Sequence, residues 1–179
     1  MFITIWNDHL PALFESGRLV SSRQVLIEIE KQEDDLCNWC RDRKDYFEEV
    51  DETVTRHVTT LMDRYQRLTT AGRNEADPFV VALAMARSPR LTVVAEEGGG
   101  MPNARTQNIP FLCQEQGVRC ITFNTLLRET GAKAGGGDRR RGWLLVRAKS
   151  ARCARSAALS LTSRFVGQGE APRGGTSNL

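Results

Sequence analysis

An α/β fold with a mostly parallel sheet is predicted by three features of this sequence. Helical and strand-like apolar patterns alternate along the first 131 residues, as they do in layered α/β proteins. Leu91-Thr92-Val93-Val94-Ala95 is a short apolar run of the kind that forms a buried strand. Acids then stand at element ends: Asp77 opens a helix, and Glu96 and Glu97 leave the strand. That puts negative charge at the carboxyl edge of the sheet, where ligands bind in open α/β folds.

The elements follow in order. Trp6–Ser16 reads as a helix, with Leu10, Leu13 and Phe14 near one face and Gly17 as its stop. Pro11 implies a kink or a start near that residue. Arg18–Ser21 is a short strand. Ser21 and Gln24 have capping-box spacing, and the helix they open turns Val25, Leu26 and Ile29 inward with Glu28 and Glu30 near its middle. Glu33–Asp45 reads as a helix and Phe47–Val50 as a short edge strand. Glu52–Tyr65 is helical, with Val54, Val58, Leu61 and Tyr65 on one face. A polar connection, 69–75, leads to a helix over Pro78–Arg87, where Asp77 suits the N-cap and Pro78 the first helical position. After the Leu91–Ala95 strand, Gly98-Gly99-Gly100 is a loop. No GK[ST] follows it, so it is no phosphate loop. Ile109–Gln116 is a short helix ended by Gly117, Val118–Phe123 a strand, and Thr125–Glu129 a last helix capped by Asn124 and ended by Gly131.

Charge divides the chain. Residues 132–179 carry ten Lys and Arg against two Asp and Glu, or +8, and the first 131 residues carry −5, within a net charge of +3. Eight of the 15 glycines also lie beyond residue 131. The expected organisation is a folded body over 1–131 and a basic Gly/Arg/Ser-rich tail over 132–179 without fixed structure. The tail has one apolar patch, Trp143-Leu144-Leu145-Val146. Two readings of it stay open: phosphate binding to nucleic acid, or frameshifted sequence with no selected role. No apolar run approaches the roughly 18 residues of a membrane span, and the first residues do not resemble a signal peptide, so the expected location is cytoplasmic.

Five cysteines, an odd count, argue against a disulfide framework. Cys37 and Cys40 have zinc-knuckle spacing, but Cys113 and Cys120 are seven apart, which suits no second knuckle. On a helix, Cys37 and Cys40 share a face and serve equally as small buried apolar residues.

Glu28, Asp77 and Glu97 are the dispersed acids that suit Mg²⁺ or Mn²⁺, both of which take hard oxygen ligands. A metal held this way activates water and offsets charge on a phosphodiester. Each acid also has a structural reading: Asp77 as an N-cap, Glu28 as part of a solvated helix face, and Glu96 and Glu97 as a polar strand exit.

Several stretches carry a family resemblance: Gly17–Ser21 with Val25–Glu30, Trp39–Asp45 with Phe47, Ala76–Ala84, Thr92–Glu97, and Ile109-Pro110 with Cys113 and Gly117–Ile121. In this order, over residues 6–131, the body resembles the PIN-like family known as domain of unknown function 4411. The resemblance implies a PIN-like three-layer fold with a mostly parallel central sheet. It implies a metal-dependent endoribonuclease acting on RNA, the VapC-type toxin of a pair with a cognate antitoxin, often a homodimer. Glu28, Asp77 and Glu97 match its catalytic and metal-binding acids, and Ala95 stands where many members have Thr or Ser. PIN domains open with a central strand ending in an Asp. Phe2-Ile3-Thr4-Ile5 is strand-like, but it runs straight into Trp6 with no Asp in place. The expected fold is therefore N-terminally truncated, with its first strand missing or degenerate. The alternative function is a catalytically inactive remnant that binds protein or RNA.

Overall fold

The computed structural model describes residues 4–65, 75–131 and, as backbone, 143–145. These residues form a mixed α/β structure with seven α-helices and five short strands. The strands are β1 (Leu19–Ser22), β2 (Phe47–Glu48), β3 (Thr92–Val94), β4 (Cys120–Ile121) and β5 (Trp143–Leu145). All pairings are parallel, in the order β2-β1-β5-β3-β4. Parallel neighbours need long crossovers, and five helices provide the three from β1 to β4: α2 (Arg23–Ile29) and α3 (Asp35–Arg41), then α4 (Glu52–Arg64) and α5 (Asp77–Ala86), then α6 (Ile109–Gln116). Helix α1 (Leu10–Glu15) precedes the sheet and α7 (Phe123–Thr130) follows β4.

Side-chain alternation along the strands divides the core in two. Val93 and Ala95, with Val20 packed against them, join the core formed by α2 to α6. Leu19, Val94 and Ile121 join the other, formed with α1 and α7. Both faces of the sheet are thus covered, and its strands are buried on both sides, with Ser21, Ser22 and Thr92 as buried polar members among apolar ones. Helix α5 is the most enclosed element: Val80, Val81, Ala82, Leu83 and Ala84 are all buried, and it packs along α4.

Local chemistry sets the element ends. Pro11 lies in the first turn of α1, directly after a π-helical turn over Ile5–His9 in which Leu10 N–H reaches Ile5 O. The helix changes winding where the proline has no N–H to give. Ile5 is therefore helical, and residues 1–3 of the strand-like start lie outside the described residues. At the other end of α1, Gly17 adopts φ +66°, its N–H reaches Phe14 O and Arg18 N–H reaches Leu13 O. This is a Schellman stop, which a left-handed glycine permits.

Four expectations shift. Ser22, not Ser21, caps α2, its hydroxyl accepting Gln24 N–H at 3.4 Å, while Ser21 pairs with Phe47 in the sheet. Thr122, not Asn124, caps α7. The helix expected over Glu33–Asp45 ends at Arg41 and resumes as one 3₁₀ turn, Lys44–Tyr46. The apolar patch expected within a tail lacking fixed structure contributes Trp143–Leu145 to the sheet as β5, between β1 and β3. Residues 66–74, which hold all of the polar connection but Glu75, and the rest of the tail, 132–142 and 146–179, lie outside the described residues.

Candidate functional site

The sheet's carboxyl edge collects acids and helix starts. Strand β1 runs into α2, β3 into Glu96 and Glu97, and β4 into α7, so all three exits lie on one edge. Helix α6 begins at that edge, where Ile109 N–H meets Glu97 at the exit of β3, and α5 ends beside the start of β3, where Leu91 N–H reaches Ala84 O. Parallel connectivity puts every strand exit on this edge.

Three carboxylates are seated on backbone amides at those helix starts. Glu28 Oε2, from the last turn of α2, accepts Ala76 N–H at 3.3 Å. Ala76 is the N-cap of α5 and has no side-chain cap of its own. Glu97 is buried, and its Oε2 accepts Ile109 N–H, the first amide of α6, at 3.1 Å. Glu96 Oε1 accepts Phe123 N–H, the first amide of α7. Each bond satisfies an amide that its own helix cannot reach and sets a negative charge against the positive end of a helix dipole. Asp77 is buried in the first turn of α5. It occupies the first helical position, not the N-cap expected for it, and Pro78 follows at the second. A Lys31–Glu75 ion pair ties the end of α2 to the approach of α5 beside Glu28.

Of the three acids singled out in the sequence, Glu28 and Asp77 are brought together at the start of α5, through the Ala76 amide next to Asp77. Glu97 lies at the exit of β3 and is engaged at the start of α6. Glu96 performs the same service for α7, and only its place beside Glu97 marked it in the sequence. Carboxylates of this kind suit a hard divalent cation chemically. However, among the described residues no group of three or more His, Cys, Asp or Glu side chains is placed to hold a metal ion. Two of the three acids already give an oxygen to an amide. The described residues therefore do not make a metal-holding group by themselves. The strand in the middle of the sheet brings no acid either, since β5 is Trp-Leu-Leu and Val146 and Arg147 come next in sequence.

The cysteines divide by environment. Cys37 and Cys40 are buried in the core beside α2, as small apolar residues would be. Burial, reinforced by Cys37 and Asp34, pushes the Cys40 thiol up to about 12. Cys113 on α6 and Cys120 on β4 share a hydrogen bond. It holds the Cys113 proton, whose pKa rises, and lowers the pKa of Cys120 against the opposing effects of burial and of Glu97. Cys120 is thus a half-buried thiol within the electrostatic reach of Glu97.

On the α1 side, His9 Nε2 lies 2.8 Å from Thr130 Oγ1, and the Thr130 hydroxyl donates to Leu126 O at 2.8 Å. With the hydroxyl proton committed, His9 donates through Nε2–H, which ties α7 to the N-terminal helix. Burial, and then the Arg18 charge, lower the His9 pKa and favour this neutral form.

No helix among the described residues is long and apolar enough to cross a membrane. No curated protein and no solved structure matches the chain. One family model, domain of unknown function DUF4411, matches residues 1–134. With that match over most of its length, the chain belongs to the DUF4411 family.

Proposed function

We propose that this protein is a PIN-like endoribonuclease, the toxin half of a toxin–antitoxin pair, acting on RNA with Mg²⁺ or Mn²⁺ at the carboxyl edge of its sheet. The observation that supports this reading is the convergence of Glu28, Asp77 and Glu97 on the edge where the starts of α5 and α6 also lie. Helices on both faces of a parallel sheet agree with the PIN-like three-layer fold. In this reading Glu28, Asp77 and Glu97 are the acids that would hold the metal. A hard cation held there would supply a Lewis acid and an activated water. A cognate antitoxin and a second copy of the chain are its partners.

One observation favours a second reading, an inactive relative that binds protein or RNA. Glu28, Glu96 and Glu97 each hold a helix amide, and the central strand carries no acid.

The test is RNA cleavage by the full-length protein with Mn²⁺, with Mg²⁺ and with chelator, wild type against Asp77→Asn. The nuclease reading expects cleavage that needs the metal and is lost in D77N. Cleavage that survives D77N would overturn the role of Asp77. Binding of RNA or antitoxin with no cleavage under any condition would replace the first reading by the second.

A further inference from the structure

The middle of the sheet is supplied from outside the stretch that matches the family. Residues 1–134 match the family model, and β5 lies at 143–145. It enters between β1 and β3 and pairs with both: Leu19 with Trp143 and Val20 with Leu144 on one side, and Thr92, Val93 and Val94 with Trp143, Leu144 and Leu145 on the other. Among the described residues β1 and β3 have no pairing with each other. Without β5 the sheet would part into two ribbons, β2-β1 and β3-β4.

The gap would be costly to leave open. Leu19, Val93 and Val94 are buried, so the facing edges of β1 and β3 lie within the packed core. Buried N–H and C=O groups without partners cost free energy comparable to lost hydrogen bonds. Two strands flanking a third stand two sheet spacings apart, about 9.6 Å, which is too far to pair directly. The gap is thus shaped for one extended backbone running parallel to both walls.

We propose that the cleft between β1 and β3 is a strand-binding site and that Trp143-Leu144-Leu145 is its tethered occupant. The ligand class is a short apolar peptide segment added in parallel, held by main-chain hydrogen bonds on both sides. Residues 143–145 belong to the folded unit. Main-chain pairing of this kind needs no covalent link, so a free peptide of the same sequence competes for the cleft.

The first test is hydrogen exchange on the intact chain. The amides of 143–145 exchange more slowly than in an isolated 139–149 peptide, and Leu144→Pro removes the protection of Val20 and Val94 as well, whereas Val93, whose N–H is given to Arg119 O beside β4, keeps its partner. Proline in a central strand takes away a donor and fixes φ. Leu161→Pro, in the same basic tail, leaves the Val20 and Val94 amides unchanged. The second test inserts a protease site between Lys133 and Ala134 and cuts the purified protein. At about 0.5 M NaCl, where attraction between a basic fragment and an acidic body is largely screened, the fragment still co-elutes with the body. Excess 139–149 peptide displaces it. Exchange at 143–145 as fast as in the free peptide, or release of the wild-type fragment on cutting, would overturn the proposal.

Discussion

Replacing Glu97 separates its two readings. Its Oε2 accepts the buried Ile109 N–H at 3.1 Å at the start of α6. In Glu97→Ala that amide loses its acceptor in a buried site, which costs about 1–3 kcal/mol. The shortened side chain also gives up buried methylene area, about 0.8 kcal/mol. The expected total is about 2–4 kcal/mol, which for a domain of this size lowers Tm by about 4–15 °C. Glu97→Gln keeps an oxygen in place and loses only the charge assistance and the favourable helix-dipole term, each on the order of 0.5–1 kcal/mol. Its Tm falls by a smaller amount, roughly 2–8 °C. The assay is thermal unfolding of wild type and both variants in chelator, followed by circular dichroism. The predicted order is wild type above Gln above Ala. A rise in Tm for the Ala variant would refute this reasoning, because it would mean that the acid is kept at the expense of stability, as ligand-binding carboxylates often are.

Two other predictions use the ionisable groups. His9 has a lowered folded pKa, so below the ordinary value near 6.5 the unfolded chain binds more protons than the folded one. The stability from neutral His9 is complete above that value and is lost as pH falls from it towards the lowered folded pKa. Tm should drop over that window in wild type and drop less in His9→Gln, whose amide can still donate to Thr130; equal slopes would count against the assignment. Among the four described cysteines, Cys120 should be alkylated first in the native protein at pH 8, since thiolate is the reactive form and its pKa is lowered. Cys40, pushed up to about 12, should react only after unfolding. Peptide mapping after brief iodoacetamide treatment checks the order, and early labelling of Cys40 would contradict it.

The sequence by itself determined the succession of elements. Periodicity, proline, glycine and capping side chains act over a few residues, so β1, α4, α5 and α6 were legible within a residue or two. So was the gathering of Asp77 and Glu97 at element ends on one sheet edge. Where a cap could sit on either of two neighbours, as with Ser21 and Ser22, a one-residue shift left the apolar pattern unchanged and only the folded backbone decided. The work of the acids was settled at longer range. Glu97 meets an amide 12 residues on, Glu96 one 27 residues on, and Glu28 one 48 residues on. No local spacing encodes such meetings, because they depend on how returning helices pack against the sheet. The three-residue strand β5 is the extreme case. Trp143–Leu145 is too short for a periodicity to show and sits in a run of arginine and glycine, so its sequence signalled only an apolar patch. Tertiary structure alone made it a strand, because β1 and β3 leave between them two rows of buried backbone groups that one extended segment satisfies at once.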